Sequence, residues 1–225
     1  KILAIDQGTT GTTALVFDES GAVRGRGYAE FTQHYPKPGW VEHDAEEIWQ
    51  SQLAVARRVL EQAKIQPRQV AAIGVTNQRE TTVVCPRQTG QPICPHIVWP
   101  ATRTAEECVQ LKELGHAEKI RQSTGLIIDA YFSATKVKWV LQHVNGARDL
   151  AAEGKLAFGT IDAWLMWKLT AGKLHITDVS NASRTMLFNI HTCEWDDDIL
   201  ELLAIPRSIL PEVRASIERY GETAA

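Results

Sequence analysis

The sequence predicts an α/β fold in which helices flank a mixed β-sheet. Three observations support this prediction: β-rich runs open the chain, an amphipathic helix follows them, and a nearly continuous apolar run comes after that helix. The length of 225 residues suits one elaborate domain, and 44% hydrophobic with 23% charged residues is an ordinary globular composition. We therefore expect one domain with a sizeable core.

Local sequence signals define the first strands and the first helix. Turn residues separate three runs that are rich in β-formers, at residues 2–5, 12–17 and 23–31. Asp44 and Glu47 form a capping pattern at the start of the helix that follows. Residues 70–76 are apolar but too few for a helix, so they predict a strand that is buried on both faces, parallel to its neighbours and central in the sheet.

The second half of the chain is predicted to be largely helical. Beyond residue 80, the expected strands lie at 81–85 and 93–99, and the expected helices lie within 103–153, at 158–169 and at 196–203. Gly115, Gly125 and Gly146 mark breaks between the helices of the first of these regions. The opening order of strand, strand, strand, helix and strand fits a ribonuclease-H-like core, as in the actin and sugar-kinase superfamily, better than a Rossmann unit or an antiparallel sandwich.

Charge and composition exclude several classes of function. The chain has 24 Lys+Arg and 27 Asp+Glu, a net charge of -3, and no basic run longer than a pair, so we expect no nucleic-acid partner. No stretch approaches the roughly 18 apolar residues of a membrane span, and Asp6 comes too early for a signal peptide, which predicts a cytoplasmic protein with no membrane contact. The cysteines and histidines are dispersed, so we assign no zinc site.

Residues 6–11, with the sequence Asp-Gln-Gly-Thr-Thr-Gly, join the first two predicted strands and suit anion binding. Glycine lets backbone N–H groups approach a phosphate, threonine hydroxyls add donors, and a carboxylate at a strand end can hold Mg²⁺. The Walker motif does not occur in the sequence, so a nucleotide would bind in another mode. Taken alone, the segment is weak evidence for anion binding, because Gly and Thr are also common in plain hairpin turns, and the plain turn is the favoured interpretation.

Four further segments, taken with this turn, resemble the motifs of one enzyme family in the family's order. They are PKPGWVEHD at 36–44, TNQRETT at 76–82, the pattern YxSxxKVxWVxQH at 131–143 and SNASRTMLFN at 180–189. Through them the chain resembles the FGGY carbohydrate kinases from end to end, and among these the members that phosphorylate glycerol. Lys136 and Trp139 of the third segment need no catalytic role, because their helix also carries the apolar stripe expected of core packing.

The resemblance implies that ATP and Mg²⁺ are the cofactors and that the turn holds them. It assigns Asp6 to the metal and Thr9, Thr10 and Gly11 to the phosphates. Phosphoryl transfer asks the protein mainly to position groups and to neutralise charge, which these residue types can do.

The resemblance also implies a glycerol site. It assigns Arg79 and Glu80 to the substrate hydroxyls, Tyr131 to a phenolic contact and Trp99 to an apolar wall. A polyol needs fixed donors and acceptors, since an apolar pocket discriminates poorly among hydroxylated isosteres. Without the resemblance, adjacent Arg and Glu would be read as a solvated ion pair of small energetic effect.

Several parts of the family pattern are missing or altered here. The family's catalytic base is an aspartate in a Gly-Asp-Gln motif, which does not occur in this sequence, and we expect it beyond Ala225 together with a nucleotide-binding domain. Thr13 stands where the family commonly has arginine, and residues 100–102, Pro-Ala-Thr, stand where it usually has Gln-x-Arg. Both departures remove polar groups near the expected site.

These observations predict that residues 1–225 are the N-terminal, substrate-binding domain of a kinase. The complete protein would convert glycerol and ATP to glycerol 3-phosphate, whereas this chain alone, without the base and the C-terminal domain as its partner, would be inactive. Two alternatives stay open: another sugar or polyol kinase of the family, and a non-catalytic module that binds a polyol or a phosphate. A homo-oligomer is also left open.

Overall fold

The computed structural model describes residues 1–224, which divide into two units. Unit 1 consists of residues 1–34 and 43–78, and unit 2 consists of residues 35–42 and the described chain from residue 79 onward. Each unit contains its own cluster of buried apolar side chains. Among the helices of residues 1–224, none has both the length and the apolar character that crossing a bilayer requires.

A mixed four-stranded sheet forms the basis of unit 1. The first elements of the chain are β1 (Ile2–Gln7), β2 (Gly11–Phe17), β3 (Val23–Glu30), β4 (Glu42–His43), α1 (Ala45–Gln62) and β5 (Ala72–Asn77). The sheet has the order β3-β2-β1-β5, and β1 is antiparallel to β2 but parallel to β5. This arrangement confirms the predicted mixed sheet.

Helix α1 packs on one face of that sheet. Its N-cap is Asp44, whose carboxylate accepts a hydrogen bond from the backbone N–H of Glu47 at 2.8 Å, as the capping pattern predicts. Val55 and Val59 are fully buried in the core of unit 1, and burying each contributes roughly 1.5–3 kcal/mol. The helix approaches β3 closely at Gly27, where a Cβ would lie 3.1 Å from Cγ1 of Val55.

Strand β5 departs from its prediction in burial and in position. It is parallel to β1, as expected, with Ile73 opposite Leu3. However, β5 is the last strand in the order rather than a central one, and Ile73 is 37% exposed. The predicted burial of this strand was wrong because the hydrophobicity of a segment does not reveal how many strands pair with it or what covers its faces. Helix α1 packs mainly against the other three strands and leaves β5 largely uncovered.

Unit 2 is largely helical with short strand pairs. Its elements are β6 (Val83–Pro86), β7 (His96–Ile97), α2 (Ala105–Glu113), α3 (Ala117–Thr124), α4 (Ser133–His143), α5 (Ala147–Ala152), β8 (Leu156–Gly159), α6 (Ile161–Leu169), β9 (Ile176–Asp178), α7 (Val179–Ala182), β10 (Phe188–Asn189), β11 (Glu194–Trp195), α8 (Asp197–Leu203) and β12 (Glu212–Arg214). Strands β6 and β8 pair antiparallel, β10 and β11 form a hairpin, and β9 is parallel to β12.

The helices between residues 103 and 153 and their glycine breaks are confirmed. Gly125 ends α3 with φ 71° and Gly146 precedes α5 with φ 74°, both in the left-handed region where glycine has no steric cost. The predicted helix at 158–169 is wrong in its first residues, because Phe158 and Gly159 belong to β8, which pairs with β6. The strands predicted at 81–85 and 93–99 are shorter than expected, namely β6 and β7.

Candidate functional site

The turn between β1 and β2 is a tight hairpin in unit 1. The N–H of Gly8 donates to the carbonyl of Gly11 at 2.9 Å, and this bond places Thr9 and Thr10 at the tip. Thr10 is exposed and Thr9 is half-buried. Close packing requires glycine at position 11, because a Cβ there would lie 2.6 Å from the carbonyl oxygen of Ala29 on β3. The two threonines therefore lie on the accessible side of the turn.

Asp6 lies at the end of β1, on the sheet face opposite α1. The next residue, Gln7, and the residue opposite it on β2, Thr12, are buried, and Thr12 donates its hydroxyl to Gln7 Oε1 at 2.8 Å. Asp6 pairs with Thr13 on β2 and with Thr76 on β5, so one exposed carboxylate lies between two threonines. Hard oxygen donors of this kind suit Mg²⁺. Thr13, the departure from the family arginine, thus lies directly beside Asp6.

A chain of hydrogen bonds connects the turn to the end of β5 within unit 1. Gln33 Nε2 donates to the carbonyl of Thr9 at 2.9 Å, and Gln33 Oε1 accepts from His43 Nε2 at 2.6 Å. His43 Nδ1 in turn accepts from Gln78 Nε2 at 3.2 Å. Burial lowers the pKa of His43 to about 4, with nearby His34 adding to the effect and Glu47 opposing it. His43 is therefore neutral at pH 7, the form in which it both donates and accepts.

Glu80, in unit 2, combines a strained backbone with a buried carboxylate. Its φ is 65°, a left-handed conformation that costs a non-glycine residue energy and that recurs at ligand sites. The residue is 3% exposed, and its carbonyl accepts a hydrogen bond from the Ser133 hydroxyl at 2.8 Å. Its carboxylate accepts from Arg184 Nε at 2.7 Å. The surrounding contacts thus fix both the main chain and the side chain of Glu80.

Arg184 is a site residue that sequence reasoning missed. It lies 104 residues from Glu80 along the chain, and its guanidinium carbon lies 5.8 Å from the ring centre of Tyr131 and 5.0 Å from that of Phe132. Arg184 belongs to the motif at 180–189, so the sequence did single out this segment. However, nothing in the motif indicates that Arg184 pairs with Glu80. The Arg79–Glu80 ion pair considered from sequence is replaced by Arg184–Glu80.

Tyr131 and Trp99 come together as an aromatic pair in unit 2. Their ring centres are 5.2 Å apart with the planes tilted by 49°, and both residues are half-buried. Arg184 connects this pair to Glu80, so the structure brings three of the four predicted substrate residues into one cluster. The fourth, Arg79, precedes Glu80 directly and is exposed. We name Glu80, Trp99, Tyr131 and Arg184 the polyol cluster, after the substrate class that the sequence predicts for the first three.

The residues that follow Trp99 have structural roles. Ala101 is buried in the core of unit 2. Arg103 donates to Glu42 at 2.7 Å, and its guanidinium lies 3.7 Å from the ring centre of Trp40 and 5.0 Å from that of Trp139. Trp40 and Glu42 come from the motif at 36–44 and Trp139 from the motif at 131–143. Arg103 thus connects the two motifs through one carboxylate and two aromatic rings.

A family model matches the whole chain. The model for the FGGY family of carbohydrate kinases, N-terminal domain, aligns with residues 1–225. Glycerol kinase of Koribacter versatilis is 62% identical over 220 residues, which are 98% of this chain and 44% of that protein. Glycerol kinase of Bacillus cereus (strain G9842) is 58% identical over 222 residues, 99% of this chain and 45% of that protein. The chain thus spans less than half the length of these relatives.

Solved structures agree with this similarity. Plasmodium falciparum glycerol kinase with ADP superposes with a TM-score of 0.93 and 33% identity, covering 100% of this chain and 45% of that chain. Gluconate kinase from Lactobacillus acidophilus has a TM-score of 0.89 at 21% identity, covering 99% of this chain and 43% of that chain. At that identity the second match shows only a shared fold.

Proposed function

The chain belongs to the FGGY family of carbohydrate kinases, and from this premise we propose that the complete protein transfers the γ-phosphoryl group of ATP to a terminal hydroxyl of glycerol. The observation that carries the proposal is the polyol cluster, in which a buried and strained Glu80 is fixed by Arg184 beside an aromatic pair. The 58–62% identity to glycerol kinases supports the choice of glycerol as the substrate.

The chemistry of the cluster suits a small polyol. Glu80 bonds Arg184 through Oε1, and its second oxygen would accept a substrate hydroxyl. Arg79 would donate its N–H groups, Tyr131 would add a phenolic contact, and Trp99 would cover the carbon atoms. A site with fixed polar groups rejects substrates that lack a matching hydroxyl far better than an apolar pocket does.

The turn of unit 1 fits the proposed cofactors. Asp6 offers an exposed carboxylate for Mg²⁺, and Thr9, Thr10 and Gly11 offer hydroxyl and backbone N–H groups to the phosphates. Bound ATP would supply the transferable phosphoryl group, and Mg²⁺ would neutralise negative charge on the phosphates. Within this chain, the residues of the turn would hold and orient the phosphates.

We further propose that residues 1–225 are the substrate-binding domain and that the nucleotide-binding domain and the catalytic base lie in the remainder of the protein. The length of the relatives supports this division, since the chain covers only 44% and 45% of two of them. A cytoplasmic location stays a prediction from sequence. So does the possibility of a homo-oligomer.

A glutamine substitution tests the function and the substrate together. In the complete protein, Glu80→Gln removes the charged acceptor, and we expect kcat/KM for glycerol to fall by roughly ten- to a hundredfold, since hydrogen bonds to charged groups are worth about 1.5–3 kcal/mol. The KM for ATP should stay unchanged. Steady-state assays of ADP formation measure both parameters.

A control variant and a substrate panel complete this test. Glu113→Gln changes an exposed glutamate at the end of α2 and should behave as the wild type. Glycerol should give the highest kcat/KM in a panel with gluconate and xylulose. A preference for one of these sugars would favour another kinase of the family, and failure to phosphorylate any of them would favour a binding module.

A further inference from the structure

Lys136 is a lysine in the core of unit 2. It lies on α4 with no exposed surface, among buried apolar positions of the same helix. Burial lowers its pKa to about 7, against the opposing effect of Glu80. Placing an ammonium group in an apolar core is unfavourable unless specific partners compensate for the lost water. A residue needed only for packing would be apolar.

The partners of Lys136 are three backbone carbonyls. Its Nζ donates to the carbonyl oxygens of Ala130 and Tyr131, each at 2.7 Å, and to that of Trp99 at 3.4 Å. Trp99 is 37 residues from Lys136 in sequence, so the ammonium connects two separate segments. These segments carry the two rings of the polyol cluster, whose centres are 5.2 Å apart.

We propose that Lys136 is a positioning residue of the polyol site, whose ammonium fixes the main chain at Trp99 and Tyr131 and thereby the aromatic pair against which the substrate carbons lie. The proposal rests on the proposed function for the identity of the substrate. The lysine has no direct contact with the substrate. It acts through the two aromatic residues, whose carbonyls would lose their shared donor if the ammonium were removed.

Substitution of Lys136 in the complete protein tests the proposal. Lys136→Met keeps an unbranched apolar side chain, one heavy atom shorter, and removes the donors. We expect the KM for glycerol to rise by roughly ten- to a hundredfold, as small misplacements at a binding site do, with the KM for ATP changed by less than about twofold. Lys138→Met is the matched control, because Lys138 lies on the same helix and pairs with Glu107 instead.

A spectroscopic measurement separates positioning from a general structural role. In protein labelled with 5-fluorotryptophan, the ¹⁹F resonance of Trp99 can be assigned by its loss in Trp99→Phe. We expect this resonance to shift or broaden in Lys136→Met and to stay unchanged in Lys138→Met. A folded Lys136→Met with the wild-type glycerol KM and the wild-type Trp99 resonance would overturn the proposal.

The remaining outcomes are also decisive. If the wild-type protein does not phosphorylate glycerol, the proposed function fails, and the Trp99 resonance alone decides whether Lys136 positions the ring. If Lys136→Met does not fold, Lys136→Gln, which keeps a shorter N–H donor, takes its place in the same measurements. If neither variant folds, Lys136 is a residue required for folding and the positioning role is rejected.

Discussion

At the scale of single residues, Arg184 stabilises the carboxylate of Glu80 at a position with little access to water. Glu80 is 3% exposed, and a carboxylate at such a position needs a compensating partner. Arg184 supplies that partner while staying partly open, with 29% of its side chain exposed. A partly exposed arginine can pair with the buried carboxylate and still contact a ligand. The pair therefore belongs to the site as much as to the core.

A double-mutant cycle tests this pairing. Removing one partner of a buried pair costs about 3–5 kcal/mol, and because Arg184 is partly exposed we expect a smaller loss of unfolding free energy, about 1–3 kcal/mol, for Arg184→Met. Adding Glu80→Gln should restore part of that loss, since no buried charge is then left unpaired. Denaturant titrations of the single and double variants measure the coupling. Strictly additive losses would show that the two residues do not depend on each other.

At the scale of elements, the hydrogen-bond relay from Thr9 through Gln33 and His43 to Gln78 joins the turn between β1 and β2 to the end of β5. The relay needs neutral His43, because a protonated imidazole has no acceptor left for Gln78. His43 thus joins the two segments through both of its ring nitrogens. This role makes the stability of unit 1 dependent on pH.

The pH dependence follows from the pKa of His43, which burial lowers from 6.5 to about 4. The unfolded chain binds the proton first as the pH falls, so stability is full above pH 6.5 and is lost between pH 6.5 and 4, by about 3 kcal/mol at most. His175, whose pKa burial also lowers to about 4, adds a similar loss. We expect His43→Gln to flatten this pH profile of denaturation midpoints, whereas exposed His191→Gln should not. An unchanged slope in His43→Gln would contradict this assignment.

The elements also show how much the sequence can predict. The N-cap at Asp44, the strands β1 to β3 and the glycine breaks were predictable because each depends on neighbouring residues. The edge position of β5 was not, because it depends on which strands come to pair. The same limit applied to the site: motifs identified Glu80, but its bond to Arg184, 104 residues away, depends on tertiary folding.

At the scale of the whole chain, the residues proposed to bind the phosphates and the polyol lie in separate units. The turn between β1 and β2 lies in unit 1, and the polyol cluster lies in unit 2. Strand β5 pairs only with β1 within the described residues, which leaves one strand edge open. Open edges favour association between chains, so any assay of the isolated 225-residue chain needs a measurement of its oligomeric state.

We expect that isolated chain to form no glycerol 3-phosphate from MgATP and glycerol. Transfer requires the substrate hydroxyl, a base and the phosphoryl donor at near-attack distance, and the base is proposed to lie outside this sequence. A coupled assay on the purified monomeric chain, with the complete protein as the positive control, measures this. Steady turnover, free of contaminating kinase, would place the base within the chain.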